Sequence, residues 1–149
     1  MSNEPGNNKF RHSVVIPSDS LQGLQVQSDI LELAQACKFS EPELFAIRLS
    51  VEEAVVNAIK HGNNSDPSKT LRIEYEVNHD LVRVRIEDEG AGFDPAQVPD
   101  PTSPEFIERP SGRGLLLMRY YMSDVQYNGR GNCVEMIKRR GETRPEDDA

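Results

Sequence analysis

Glu53 and Asn57 stand four residues apart in the stretch Glu52-Glu53-Ala54-Val55-Val56-Asn57-Ala58-Ile59-Lys60-His61-Gly62. On a helix that spacing makes their side chains neighbours on one face. A carboxylate beside a carboxamide can hold a hydrated divalent cation and polarise a hydroxyl. The same pair also suits any solvated helix face. Asn57 is the more telling residue, because it interrupts Val55, Val56, Ala58 and Ile59, where helix propensity favours an apolar or strongly helix-forming residue.

Two further segments carry chemistry. Asp88-Glu89-Gly90-Ala91-Gly92-Phe93-Asp94 follows an alternating strand, and its glycines let the backbone approach a ligand closely. A tight turn with a capping Asp would read the same. A dinucleotide fold would need a third glycine and an immediate helix, whereas Pro95 follows here. Ser68-Lys69-Thr70 lacks the glycine of a Walker loop. The third segment, Ser111-Gly112-Arg113-Gly114-Leu115, comes straight before a helical pattern. Glycines there free backbone amides to face an anion, and the helix dipole favours phosphate. Arg109 and Arg113 can add charge-assisted contacts.

These segments need elements to hold them. Arg11–Ile16 reads as a strand stopped by Pro17. Ser18 or Asp19 caps a helix to about Cys37, with Leu21, Leu24, Ile30, Leu33 and Ala34 on its apolar face. Of these, Leu21 and Leu24 could serve an interface or the core, and the core is the favoured reading. Ser40, with Pro42 and Glu43 behind it, is a capping box opening a second helix. That helix runs to about His61 and ends at Gly62 as a left-handed C′ residue. Leu71–Val77 and Leu81–Glu87 alternate with period two and join through Asn78-His79-Asp80, an antiparallel pair with one buried face. Residues 94–111 hold five of the ten prolines and read as a long functional loop. Gly114–Met122 is the next helix. Val125–Tyr127 and Cys133–Lys138 form a hairpin around Asn128-Gly129-Arg130-Gly131. The order predicts an α/β two-layer sandwich: a mixed, mostly antiparallel sheet with helices on one face.

Composition narrows the function classes. The chain has 149 residues, enough for one domain with a real core, at residues 11–140 between a flexible tail at 1–10 and an acidic one at 141–149. A formal charge of −8 argues against a nucleic-acid backbone binder. No apolar run approaches a membrane span or a signal peptide. Cys37 and Cys133 show no CxxC spacing, and the three histidines show no HxxxH spacing, so a reduced, cytoplasmic chain without a zinc site is expected.

The three segments together, in this order, are more specific than any one. They resemble the N, G1 and G2 boxes of the GHKL (Bergerat) ATP-binding fold shared by gyrase, the heat-shock chaperone, histidine kinases and the MutL ATPase. The phrase EAVVNAIKHGN at residues 53–63 is similar to the N box of the bacterial anti-sigma-factor serine/threonine kinases. The resemblance implies that Asn57 ligates the Mg²⁺ bridging the ATP phosphates and that Glu53 is the general base. It implies that Asp88 hydrogen-bonds the adenine amine, with Gly90 and Gly92 closing around the base. Gly112, Gly114 and the adjoining Leu115 would line the phosphates, with Lys60 and Arg113 nearby, and residues 94–111 would be the ATP lid. The function it implies is an ATP-dependent kinase that acts as an anti-sigma factor, phosphorylates a STAS-type antagonist and forms a homodimer. A nucleotide-gated binding module that sequesters a regulator without phosphoryl transfer would use nearly the same residues. A histidine kinase half would need a helical phosphoacceptor domain for which the chain has no room.

Overall fold

The computed structural model describes residues 9–90, 110–128 and 131–141. Five strands form one sheet: β1 (Phe10–Pro17), β2 (Thr70–Val77), β3 (Leu81–Glu87), β4 (Asp124–Tyr127) and β5 (Cys133–Arg139), in the order β1-β2-β3-β5-β4. Every pairing among them is antiparallel. The helices are α1 (Ser20–Ala36), α2 (Glu41–Asn57) and α3 (Pro110–Tyr121), and α2 continues into a π-helical turn, Ala58–Gly62.

Alternation in the strands decides the two layers. Leu71, Ile73, Tyr75 and Val77 of β2, Val82, Val84 and Ile86 of β3, and Val134 and Met136 of β5 are buried in one core with Ile30, Ile47, Val51, Val55 and Met118 from the helices. The alternate positions form a lattice of opposite charges on the other face. Arg11 lies opposite Glu76, and Arg85 lies between Glu74 and Glu135. Ion pairs join Arg11 to Glu76 at 2.6 Å, Arg83 to Glu135 at 3.3 Å and Arg85 to Glu74 at 3.6 Å. Cross-strand charge pairs of this kind stabilise a solvated sheet face modestly.

The expected caps form. Asp19 Oδ1 accepts the Leu21 amide at 2.9 Å, and Ser40 and Glu43 exchange both capping-box bonds. Glu43 is buried and also accepts the Gly141 amide at 2.8 Å. Burial would raise its carboxyl, but these backbone and hydroxyl donors, aided by Arg140, hold it below the ordinary value.

Three expectations need correction. Leu21 and Leu24 are 77% and 55% exposed, not core. The buried stripe of α1 is Gly23, Val26, Gln27, Ile30 and Ala34. Gly23 sits so close to α2 that an added Cβ would lie 2.7 Å from Val55 Cγ1. With that stripe inward, the 100° step per residue turns Leu21 outward and Leu24 to the flank. Second, Gly62 is not left-handed: the positive-φ residues after α2 are Asn64 and Ser65. The helix ends instead by widening, with the Asn63 amide donating to Ala58 O at 2.8 Å. Third, α3 begins at Pro110 rather than Gly114. A proline suits the first turn of a helix. The lid reading of residues 94–111 otherwise falls outside the described residues.

Candidate active site

Helices α2 and α3 pack against each other, and their contact brings the first group together. A Cβ on Gly114 would lie 2.7 Å from Glu53 Oε2 and 3.1 Å from Asn57 Nδ2. Glu53, Asn57 and Gly114 therefore meet, although Gly114 is far from the other two in sequence. Glu53 and Asn57 are half-buried, while Gly114 and Leu115 are buried. Among the described residues, neither Glu53 nor Asn57 has a side-chain hydrogen bond. Burial, helped by the neighbouring Glu52 charge, holds the Glu53 carboxyl above the ordinary glutamate value. That makes it a stronger base than an exposed carboxylate.

The second group forms where the π-helical turn meets the end of β3. A Cβ on Gly62 would collide with the Asp88 carboxyl, and one on Gly90 would collide with the Gly62 carbonyl. Gly62 thus serves by leaving room, which a helix-capping argument could not anticipate. Asp88 Oδ1 accepts the Gly90 amide at 2.7 Å. From the sheet side, the Asp88 amide donates to Asn132 O at 2.9 Å and Asn132 Nδ2 donates to Asp88 O at 3.0 Å. Tyr127 borders this end. Its phenol is pushed up to about 12, first by burial and then by the Asp88 charge, against a lowering pull from Arg119.

The remaining expected site residues divide. Lys60 is exposed on the π-helical turn. Gly112 and Arg113 lie in the first turns of α3 rather than before it. Gly92 lies outside the described residues. Sequence reasoning passed over Asn63 and Asn132, both buried polar residues beside Asp88. The signal for Asn63 was its place directly after Gly62, as the first of two successive asparagines.

The donor set suits a magnesium nucleotide. Mg²⁺ takes oxygen ligands, keeps several waters and usually binds through few protein groups plus phosphates. No cluster of three metal-binding His, Cys, Asp or Glu side chains exists among the described residues. Glu53 and Asn57 come up against the bare Gly114 backbone, where a side chain would collide with them, and between them they carry a carboxylate and a carboxamide oxygen of the kind Mg²⁺ accepts.

Comparison with known proteins shows the family. The family model of the histidine kinase-like ATPase domain matches residues 16–138. Serine-protein kinase RsbW of Oceanobacillus iheyensis is 27% identical over 113 residues, 72% of this chain and 72% of that one. The anti-sigma F factor of Clostridium perfringens is 34% identical over 102 residues, 66% of this chain and 72% of that one. That of a Geobacillus strain is 37% identical over 87 residues, 56% and 58% of the two chains. Among solved structures, the RsbU and RsbW domains of a Mycobacterium tuberculosis protein share the fold, with a TM-score of 0.57 at 14% identity over 91% of this chain and 33% of that one. The chain belongs to the histidine kinase-like ATPase family, in its branch of anti-sigma-factor serine/threonine kinases.

Proposed function

We propose that this chain is an ATP- and Mg²⁺-dependent serine/threonine protein kinase that acts as an anti-sigma factor in a partner-switching pathway. Its protein substrate is a STAS-type antagonist, and it sequesters a sigma factor when that antagonist does not occupy it. The observation that carries this reading is the meeting of Glu53, Asn57 and Gly114 across two helices.

The chain's own groups account for the steps. Asp88 accepts a hydrogen bond from the adenine amine, and the small residues Gly62 and Gly90 let the backbone close on it. Helix α3 presents its early amides and Gly114 to the phosphates, with Lys60 and Arg113 adding positive charge. Asn57 holds Mg²⁺, which when bound neutralises phosphate charge. Glu53 takes the proton of an incoming seryl or threonyl hydroxyl. That oxygen bonds to the γ-phosphorus, the bond from this phosphorus to the bridging oxygen breaks, and ADP leaves. A net charge of −8 opposes a polyanion, so positioning by a metal and helix amides fits better than a basic surface.

A homodimer completes the proposal. It is supported by exposed Val15 on the edge strand β1 and by exposed Leu21 and Leu24 on α1. A cytoplasmic location fits the two free thiols, Cys37 and Cys133. No described helix is long and apolar enough to cross a membrane.

The test is incubation with labelled ATP, Mg²⁺ and a STAS-type protein encoded beside this chain. Transfer to a serine or threonine of that protein is the expected result. ATP binding without transfer to it would favour the non-catalytic binding module.

A further inference from the structure

Asn63 is fully buried, at 0% exposure, and its side chain makes three hydrogen bonds. Nδ2 donates to Ser18 Oγ at 2.9 Å and to Thr70 O at 3.0 Å. Oδ1 accepts the Glu89 amide at 2.8 Å. Glu89 is the residue between Asp88 and Gly90. Its own carboxylate reaches back to Thr70, taking the amide at 2.5 Å and the hydroxyl at 3.1 Å. One buried amide therefore ties the β1–α1 connection, the start of β2 and the Asp88-Glu89-Gly90 turn to the end of the π-helical turn.

The placement matters for the turn. Gly62, the residue before Asn63, fills the space against Gly90 and the Asp88 carboxyl. Asn63 thus holds the backbone one residue past Asp88 while Gly62 bounds Asp88 on its flank. Asn132 secures the Asp88 backbone from the sheet side. The π-helical turn is what carries Asn63 to this position, since its amide bonds back to Ala58 rather than continuing an α-helix. A buried polar group with three good bonds is costly to disturb, which makes such a network rigid.

We infer that Asn63 is a positioning residue for base selection: through the Glu89 amide it sets the direction of the Asp88 carboxylate. This rests on the reading of Asp88 as the adenine contact. Adenine offers an amine to that carboxylate where guanine offers a carbonyl, so the discrimination depends on where the carboxylate points. Loss of the Oδ1 bond frees the turn and lowers the preference for ATP over GTP.

Binding of Mg-ATP and Mg-GTP to the full chain, measured by calorimetry, tests this together with thermal melts. Asn63→Ala is expected to cut the ATP/GTP affinity ratio by about tenfold, the scale of one hydrogen bond. Should Asn63→Ala not fold, Asn63→Ser carries the same expectation, since its hydroxyl is too short to reach Glu89. Asn63→Asp keeps an acceptor for the Glu89 amide and is expected to keep the ratio within about twofold, although a buried acid should cost the most stability. Ser18→Ala removes only the far side of the network and is expected to lower melting with the ratio intact. A purely structural role predicts the opposite order, with discrimination following stability and Asn63→Asp worst. That order, or an unchanged ratio in folded Asn63→Ala or Asn63→Ser, overturns the inference. Asp88→Asn separates the two levels. If it keeps the ATP preference, the reading of Asp88 fails; if it loses it while Asn63→Ala does not, only the inference about Asn63 fails.

Discussion

At the Asp88 end of the site, the backbone is tied from two sides, by Asn132 from β5 and by Asn63 through Glu89. Two glycines are pressed against the carboxylate and against each other. At the Glu53 end, two half-buried side chains face the bare backbone of Gly114, and burial raises the carboxyl with no described group stabilising its charge. One end is built to hold a fixed shape. The other leaves two half-buried polar side chains without a described hydrogen-bond partner, which suits the proposed work on a metal, phosphates and a moving proton. On the proposed reading, preorganisation at the adenine base and free polarity at the phosphates are separate physical tasks.

Removing the proposed general base should have the largest effect. Glu53→Ala is expected to reduce phosphoryl transfer by about 10²–10⁴-fold with ATP binding little changed, as seen in single-turnover transfer and calorimetry. Gly90→Ala comes next. Its new Cβ meets the Gly62 backbone carbonyl, which cannot swing away, so it should lose nucleotide binding and about 1–3 kcal/mol of stability. Gly114→Ala clashes only with side-chain ends, Glu53 Oε2 at 2.7 Å and Asn57 Nδ2 at 3.1 Å, and meets Glu53 Cβ at an ordinary contact of 3.6 Å. It should slow transfer with little change in melting. If both alanine variants lost stability equally, the contrast between the two ends would be wrong.

Stability against pH sharpens the same contrast. Glu53 has a folded-state proton affinity above its unfolded one. Its contribution is fully present below the ordinary glutamate range and is lost as pH rises through the raised value. Glu53→Gln is thus expected to melt at or slightly above the native chain at neutral pH, with the advantage disappearing on acidification. Arg140→Ala should have the smallest effect on nucleotides. Arg140 stacks 4.3 Å from the Phe39 ring centroid and donates to the carbonyls of Cys37, Lys38 and His79, away from the site. Its loss should cost about 1–3 kcal/mol in denaturant melts and leave ATP affinity unchanged.

Much of this was legible in the residues. The period-two strands, the Ser40 capping box and the Glu53–Asn57 spacing each follow from local chemistry, and all three are found. What could not be read depended on tertiary contact. Leu21 and Leu24 carry the hydrophobicity of a core face, but Gly23 against Val55 fixed a different side of α1 inward. Gly62 resembles a helix stop, while its function is to admit the Asp88 carboxyl, a partner distant in sequence. Asn63 was hidden for the same reason: its three bonds run to Ser18, Thr70 and Glu89, in three separate segments of the chain.

The most direct test of the central claim compares the native chain with Glu53→Gln. ATP affinity and single-turnover transfer to the STAS-type partner are measured on the same preparations. Affinities within about twofold of each other, with transfer reduced about a hundredfold or more, are expected. Transfer by Glu53→Gln at the native rate would contradict the assignment of the base, and with it the reading of the open end of the site.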